Sequence, residues 1–147
     1  MRAKRHEANS GDYDNSNVKL LAISAPFSAF ADGGSTVGTY ASDMTLPVGS
    51  VVLYSFIDVT AAFSGDTSCA VQIGDGSDAD RFNKSSDPSA FAAGNIDGGV
   101  PQGVQFCSAA TAITLTATAG SDWGAVSSSA DMTVYLVYVD PNVSVSI

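Results

Sequence analysis

Residues 45–82 read TLPVGSVVLYSFIDVTAAFSGDTSCAVQIGDGSDADRF. Two runs rich in β-branched and aromatic residues, Val51–Val59 and Ser68–Ile73, are separated by the turn residues Ser64-Gly65-Asp66. Such runs bounded by Gly, Asp and Ser read as strands. Pro47 and Gly49 are placed as in a β-turn leading into the first run. In Val51–Val59 one side carries Val51, Leu53, Ser55, Ile57 and Val59 and the other Val52, Tyr54, Phe56 and Asp58, so both are apolar over most of their length. That pattern predicts a central strand buried on both faces, in a sandwich or at a subunit contact.

The segments on either side repeat the signal. Val18–Ser24 is a strand candidate stopped by Pro26, and Thr36–Tyr40 is a weaker one. Ile113–Ala119 alternates Ile113, Leu115 and Ala117 with threonines, as a strand with one wet face does. Asp131–Val139 places Met132, Val134, Leu136 and Tyr138 on one side, and Val143–Ile147 reads as a last edge strand. Val104–Ala109 reads as a strand through Phe106, and Asn95–Gly103 as a loop. Ser86–Gly94 is the best helix candidate, with Ser86 or Asp87 as N-cap, Pro88 in the first turn and Gly94 as stop. Seven or eight short strands with almost no helix predict an all-β chain. The expected architecture is an antiparallel β-sandwich, jelly-roll-like, over residues 18–147, preceded by an extended N-terminal arm over residues 1–17.

The chain has 147 residues, 45% of them hydrophobic and 14% charged, which suits one domain with a real core. Residues 1–19 hold four basic and three acidic side chains; residues 20–147 hold two basic and twelve acidic ones. An acidic body repels phosphate, so we expect no nucleic-acid partner. The basic head carries Arg2, Lys4 and Arg5, which with Tyr13 are the candidate partner-binding residues of the arm. Fourteen of the fifteen acids are Asp, a bias toward turns and strand ends rather than helices. The N-terminal residues MRAKRHEANSGDYDN contain no apolar signal region, and no apolar run reaches membrane-spanning length. We therefore expect synthesis and folding in a cytoplasm and no membrane partner.

Chemistry has few footholds. His6, the lone histidine, lies in the arm, so the body can build neither a Ser–His–Asp nor a Cys–His arrangement. No enzyme and no cofactor are expected. Cys69 and Cys107 sit beside β-type runs and read as small buried hydrophobes, with a disulfide left open. The loop Gly74–Asp80 offers Asp75, Asp78 and Asp80 as oxygen ligands, but their spacing is not that of an EF-hand. A solvated turn is the expected reading and no metal is predicted; a subunit contact through Asp80, Arg81 or Lys84 is a further possibility. Trp123, in a Gly/Ser-rich loop, reads as a cap on the end of the sandwich, with sugar stacking as the alternative.

The order of these residues resembles a segment of small virion proteins of tailed bacteriophages. The resemblance is carried by Leu46, Pro47 and Gly49; by Asp58, Val59 and Thr60; by Ala62 and Phe63; and by Gly74 through Phe82. The later ITLTATAGSDWGAVSSSADMTVYLVYV is similar to the closing strands of the same proteins. The match spans about Thr45–Val139 and leaves residues 1–35 uncovered. It implies a structural virion protein, most simply a decoration (cement) protein on the capsid surface that binds the major capsid protein as a homotrimer. A head fibre, a minor tail part or a carbohydrate- or receptor-binding module are the other roles considered. The resemblance implies no catalytic residues.

Overall fold

The computed structural model describes residues 17–142. These hold eight strands: β1 (Val18–Ser24), β2 (Ala31–Asp32), β3 (Val37–Leu46), β4 (Val51–Ala61), β5 (Cys69–Gly74), β6 (Gly94–Gly99), β7 (Thr111–Ala119) and β8 (Asp131–Val139). Two short 3-10 turns, Phe27–Ala29 and Trp123–Ala125, are the helical elements among the described residues. The strands form two four-stranded sheets, ordered β1-β8-β4-β6 and β2-β3-β7-β5, and every pairing is antiparallel. The chain is an all-β antiparallel sandwich. Val143–Ile147, expected as an edge strand, lies outside the described residues, as does nearly all of the expected arm.

The core lies between the sheets. β8 contributes Met132, Val134 and Leu136, β7 contributes Ile113, Leu115 and Ala117, and β5 contributes Cys69, Val71 and Ile73, all buried. These are the alternating apolar positions of the sequence, each turned inward by the two-residue period of a strand. Pro47–Ser50 closes as a turn, with the Ser50 amide donating to the Pro47 carbonyl and Gly49 at φ 86°. A left-handed backbone at this third turn position is what glycine permits without steric cost.

Strand β4 departs from the expectation of burial on both faces. It is central, between β8 and β6, but Val52 pairs with Tyr138 and Tyr54 with Val137, so Leu53 is an extra residue. Such a β-bulge interrupts the alternation. Val52, Ser55, Ile57 and Val59 therefore point inward, while Leu53 and Tyr54 stay 41% and 37% exposed.

Three further expectations are corrected. Ser86–Gly94 is not a helix: residues 88–90 run extended along β5, with Val71 donating to the Pro88 carbonyl and Ala90 to the Cys69 carbonyl. A helix of one or two turns is marginal alone, and these sheet-type bonds outcompete it. The expected loop Asn95–Gly103 supplies β6, paired to β4 from Ser55 to Val59. Residues 104–109 form no regular strand; Phe106 makes a single bridge to Val51, and Cys107 exchanges bonds with Gly49 and Ser50. The weak strand expected at Thr36–Tyr40 is part of the longer β3, which bulges between Ala41 and Thr45.

Candidate interaction surfaces

Arg81 organises the acidic loop that follows β5. Its Nη1 lies 2.6 Å from Asp75 Oδ2, its Nε donates to the Val104 carbonyl at 2.7 Å, and its Nη2 donates to the Phe106 carbonyl at 2.8 Å. The guanidinium also sits 4.9 Å from the centre of the Phe82 ring. One side chain thus ties residues 74–80 to residues 104–106. Asp75 Oδ1 accepts from the Ser77 amide, the Ser77 hydroxyl and the Asp78 amide. Both carboxylate oxygens are therefore occupied within the loop.

Partial burial pushes the Asp75 carboxyl upward, but the Arg81 guanidinium and the donors from Ser77 and Asp78 outweigh it. The net pKa falls to about 2. Asp78 moves the other way: burial raises it first, and the neighbouring Asp80 carboxylate raises it further. Asp80 in turn accepts from Gln102 Nε2 at 2.5 Å. The three carboxylates weighed as oxygen ligands are thus bound up in local hydrogen bonding. Among the described residues no three His, Cys, Asp or Glu side chains converge on one point. Asp75, Ser77, Asp78 and Arg81 line one side of an open depression of about 280 Å3, with Val104, Phe106 and Ser108 on the other.

The Asp75–Arg81 pair carries an acid-stability prediction. A carboxyl whose folded pKa lies below its ordinary value of 3.8 stabilises the fold above that value, and the contribution is lost as pH falls toward about 2. Urea melts of wild type and Asp75→Asn should therefore differ most near neutrality and converge between about pH 4 and pH 2. A gap that stays constant over that window would show that ionisation of Asp75 is not what the fold uses.

Asp66 plays a similar part at another turn. It accepts from the Ser121 hydroxyl and from the amides of Asp122, Ser121 and Thr67, and these bonds hold its pKa well below the usual carboxylate range. This joins the β4–β5 turn to the β7–β8 turn. Neither Asp66 nor Arg81 was singled out as an organising residue by the sequence. The available signal was scarcity: Arg81 is one of two cations in residues 20–147.

The remaining candidates separate clearly. Arg2, Lys4, Arg5 and Tyr13 lie outside the described residues. Trp123 is fully buried, stacked on Phe27 with centroids 5.2 Å apart and packed against Phe30 and Phe63. It caps one end of the core, and no sugar ring can reach it in the folded chain. Cys69 and Cys107 are both buried free thiols. Lys84 pairs with Asp97 at 3.3 Å, and Asp97 also accepts from the Tyr54 hydroxyl.

The outer faces of the two sheets differ in kind. Across β3, β7 and β5 the outward rows are Val37–Thr118–Ala70 and Thr39–Thr116–Gln72, small and hydroxyl-rich. Across β1, β8 and β4 they are Val18–Val139–Val51, Leu20–Val137–Tyr54 and Ala22–Tyr135–Phe56. These rows contain no charged side chain, and Phe56 stacks on Tyr135 with centroids 4.7 Å apart.

The described residues thus form an all-β sandwich with one apolar outer face. The chain matches no protein-family model and no curated protein sequence. Among solved structures, it shares its fold with a chain of the capsid asymmetric unit of cyanophage Pam1. That match has a TM-score of 0.51 and 18% identity, over 85% of this chain and 86% of the other. It also matches a chain of the acid-stable capsid of Helicobacter pylori bacteriophage KHP30, with a TM-score of 0.50 and 13% identity, over 86% of this chain and 90% of the other.

Proposed function

We propose that this chain is a structural virion protein of a tailed phage and decorates the head shell, bound to the major capsid protein on its outer surface. The observation that carries the reading is the near end-to-end match of the fold to chains of two phage capsids, each about as long as this one. The resemblance of residues 45–139 to small tailed-phage virion proteins supports it independently. We also read the sandwich as a jelly roll. Successive strands cross repeatedly between the sheets, β1 lies beside β8, and the Ser89 bridge to Ala70 supplies the rudiment of a further strand on β5.

The chemistry of the chain suits such a role. Many weak contacts multiply over a lattice, so each copy needs only a modest interface. A body with twelve Asp against two basic residues in residues 20–147 keeps coated particles mutually repelling and turns away nucleic acid. The basic Arg2, Lys4 and Arg5, together with Tyr13, are the residues we assign to contact with the capsid neighbour. Deleting residues 1–16 should lower occupancy on capsids, and full occupancy by the truncated protein would remove the arm from the reading.

Purified particles test the main proposal. Mass spectrometry should find the chain in virions at a copy number comparable to that of the shell subunit, and single-particle imaging should place it on the head. Absence from particles overturns the reading. Density at the tail or at isolated fibres would instead favour a minor tail or head-fibre role.

A further inference from the structure

We infer that the open edge of β1, from Leu20 to Ser24, takes an added strand from the shell protein, an extended segment with apolar side chains beside Leu21 and Ile23 and a carboxylate beside Lys19. The choice of donor rests on the virion reading above; the open edge does not. The Ala25 amide donates to the Met132 carbonyl and the Asp140 amide to the Asn17 carbonyl, at the two ends of an unbroken register between β1 and β8. In an antiparallel pair the backbone groups of alternate residues point to opposite sides of the strand. The odd-numbered residues of β1 therefore bond to β8, and the N–H and C=O groups of Leu20, Ala22 and Ser24 point away from it. No described residue bonds to those groups.

The other three sheet edges are short, covered or irregular. β2 has two residues. On β5, Val71 donates to the Pro88 carbonyl, the Ile73 carbonyl accepts from Phe82, and the Ile73 amide is taken by the Asn83 side chain. β6 holds three glycines in six residues, breaks its register near Gly98 and accepts the Lys84 amide there. β1 has seven residues with no proline, glycine or bulge, and Leu20 is 57% exposed. A regular unpaired edge of this kind is a template for strand addition.

Lys19 decides which strand fits. It lies half-buried on the inward side of β1, the side of Leu21 and Ile23. An inward-facing charge on an edge strand obstructs pairing with any strand that cannot neutralise it. Arg81 and Lys84 are paired to Asp75 and Asp97, whereas Lys19 has no carboxylate partner among the described residues. A donor carboxylate opposite Lys19 removes the obstruction. A second copy presenting its own β1 brings another lysine and no acid. Residues 20–24 span roughly 16 Å, so a donor needs only about five residues, and repetition over the lattice compensates for so short a contact.

Binding of the full chain to undecorated shells tests this. Ala22→Pro removes an amide that faces away from β8, so the ladder survives while the edge loses a donor. It should weaken shell binding at least about tenfold, and Ala22→Val, which keeps the amide, should not. Leu20→Pro is a second probe of the same kind, and thermal melts confirm that the variants are folded. Hydrogen exchange at the Leu20, Ala22 and Ser24 amides should slow at least about tenfold on binding, while Lys19, Leu21 and Ile23 are protected in both states. Lys19→Glu should weaken binding at least about threefold. Undiminished binding by both proline variants, or unchanged exchange at the three amides, overturns the inference and leaves the virion reading standing. Undiminished binding by Lys19→Glu overturns the acidic donor. Protection of the three amides in the dilute free chain would put the chain's own ends on the edge, and protection that grows with concentration in the absence of shells would put a second copy there; either overturns the donor. A wild type that binds no shells overturns the virion reading and this choice of donor with it.

Discussion

Trp123→Ala is expected to destabilise the fold by about 3–5 kcal/mol, in the range of large aromatic truncations in cores. Trp123 is fully buried at one end of the sandwich, where it touches Phe27, Phe30 and Phe63. Its position is held from three directions. Its amide donates to the Ser35 carbonyl at 2.9 Å, Asp122 caps its 3-10 turn through the Gly124 amide, and Gly38 lies beneath the indole. A Cβ at Gly38 would stand 2.2 Å from Trp123 Cε2, so the backbone there is in contact with the ring. The hole left by alanine cannot close easily, because its walls are the strand β3 and three rings anchored in other elements. The melting temperature should fall by roughly 10 °C or more, and Trp123→Phe should recover part of the loss. A melting temperature within a degree or two of wild type would mean that this end of the sandwich contributes little to global stability.

Asn83→Leu should be nearly as damaging for a different reason. Asn83 is completely buried, and its Oδ1 accepts from the Ile73 amide at 2.7 Å. Its Nδ2 donates to the Lys84 carbonyl at 2.8 Å and to Asp87 Oδ1 at 3.1 Å. The side chain thus finishes the pairing of β5, where the ladder to β7 occupies only one edge. Leucine keeps the volume but strands a buried N–H and a carbonyl, each costing about 1–3 kcal/mol, so a loss of roughly 2–4 kcal/mol is expected in urea melts. Hydrogen exchange at the Ile73 amide should accelerate more than exchange in β8, which does not touch Asn83. Equal protection at Ile73 in wild type and variant would exclude this hydrogen bond as the anchor of the strand end.

The strands that were legible in the sequence are those whose side chains do the pairing work of the core. β5, β7 and β8 show an uninterrupted alternation, Val71 and Ile73, Ile113 and Leu115, Met132 through Leu136, and each of these residues is inside. β6 was not legible, because Gly94-Asn-Ile-Asp-Gly-Gly99 pairs through its backbone. Gly98 is required by closeness: a Cβ there would meet Ser55 Oγ at 2.3 Å. The bulge at Leu53 was hidden for a related reason, since a register shift is a property of β4 and β8 together. The helix expected at Ser86–Gly94 had correct local signals, and the free edge of β5 claimed its backbone instead. At the acidic loop, the sequence showed the carboxylates but not that Arg81 would cross to Val104 and Phe106 and make them structural.

Cys69 and Cys107 have a consequence for following how this fold opens. They are reduced, sealed from solvent and sited apart, one in β5 of the second sheet and the other in the segment beside the start of β4 in the first. Burial, with some help from Asp66, lifts the Cys69 thiol to about 11, so it holds almost no thiolate at neutral pH. A thiol-reactive reagent can therefore label each position only during excursions that expose it. Labelling rates at the two cysteines are native-state clocks, one for β5 and one for the segment beside the start of β4, and their ratio tells whether these two regions open together or in turn.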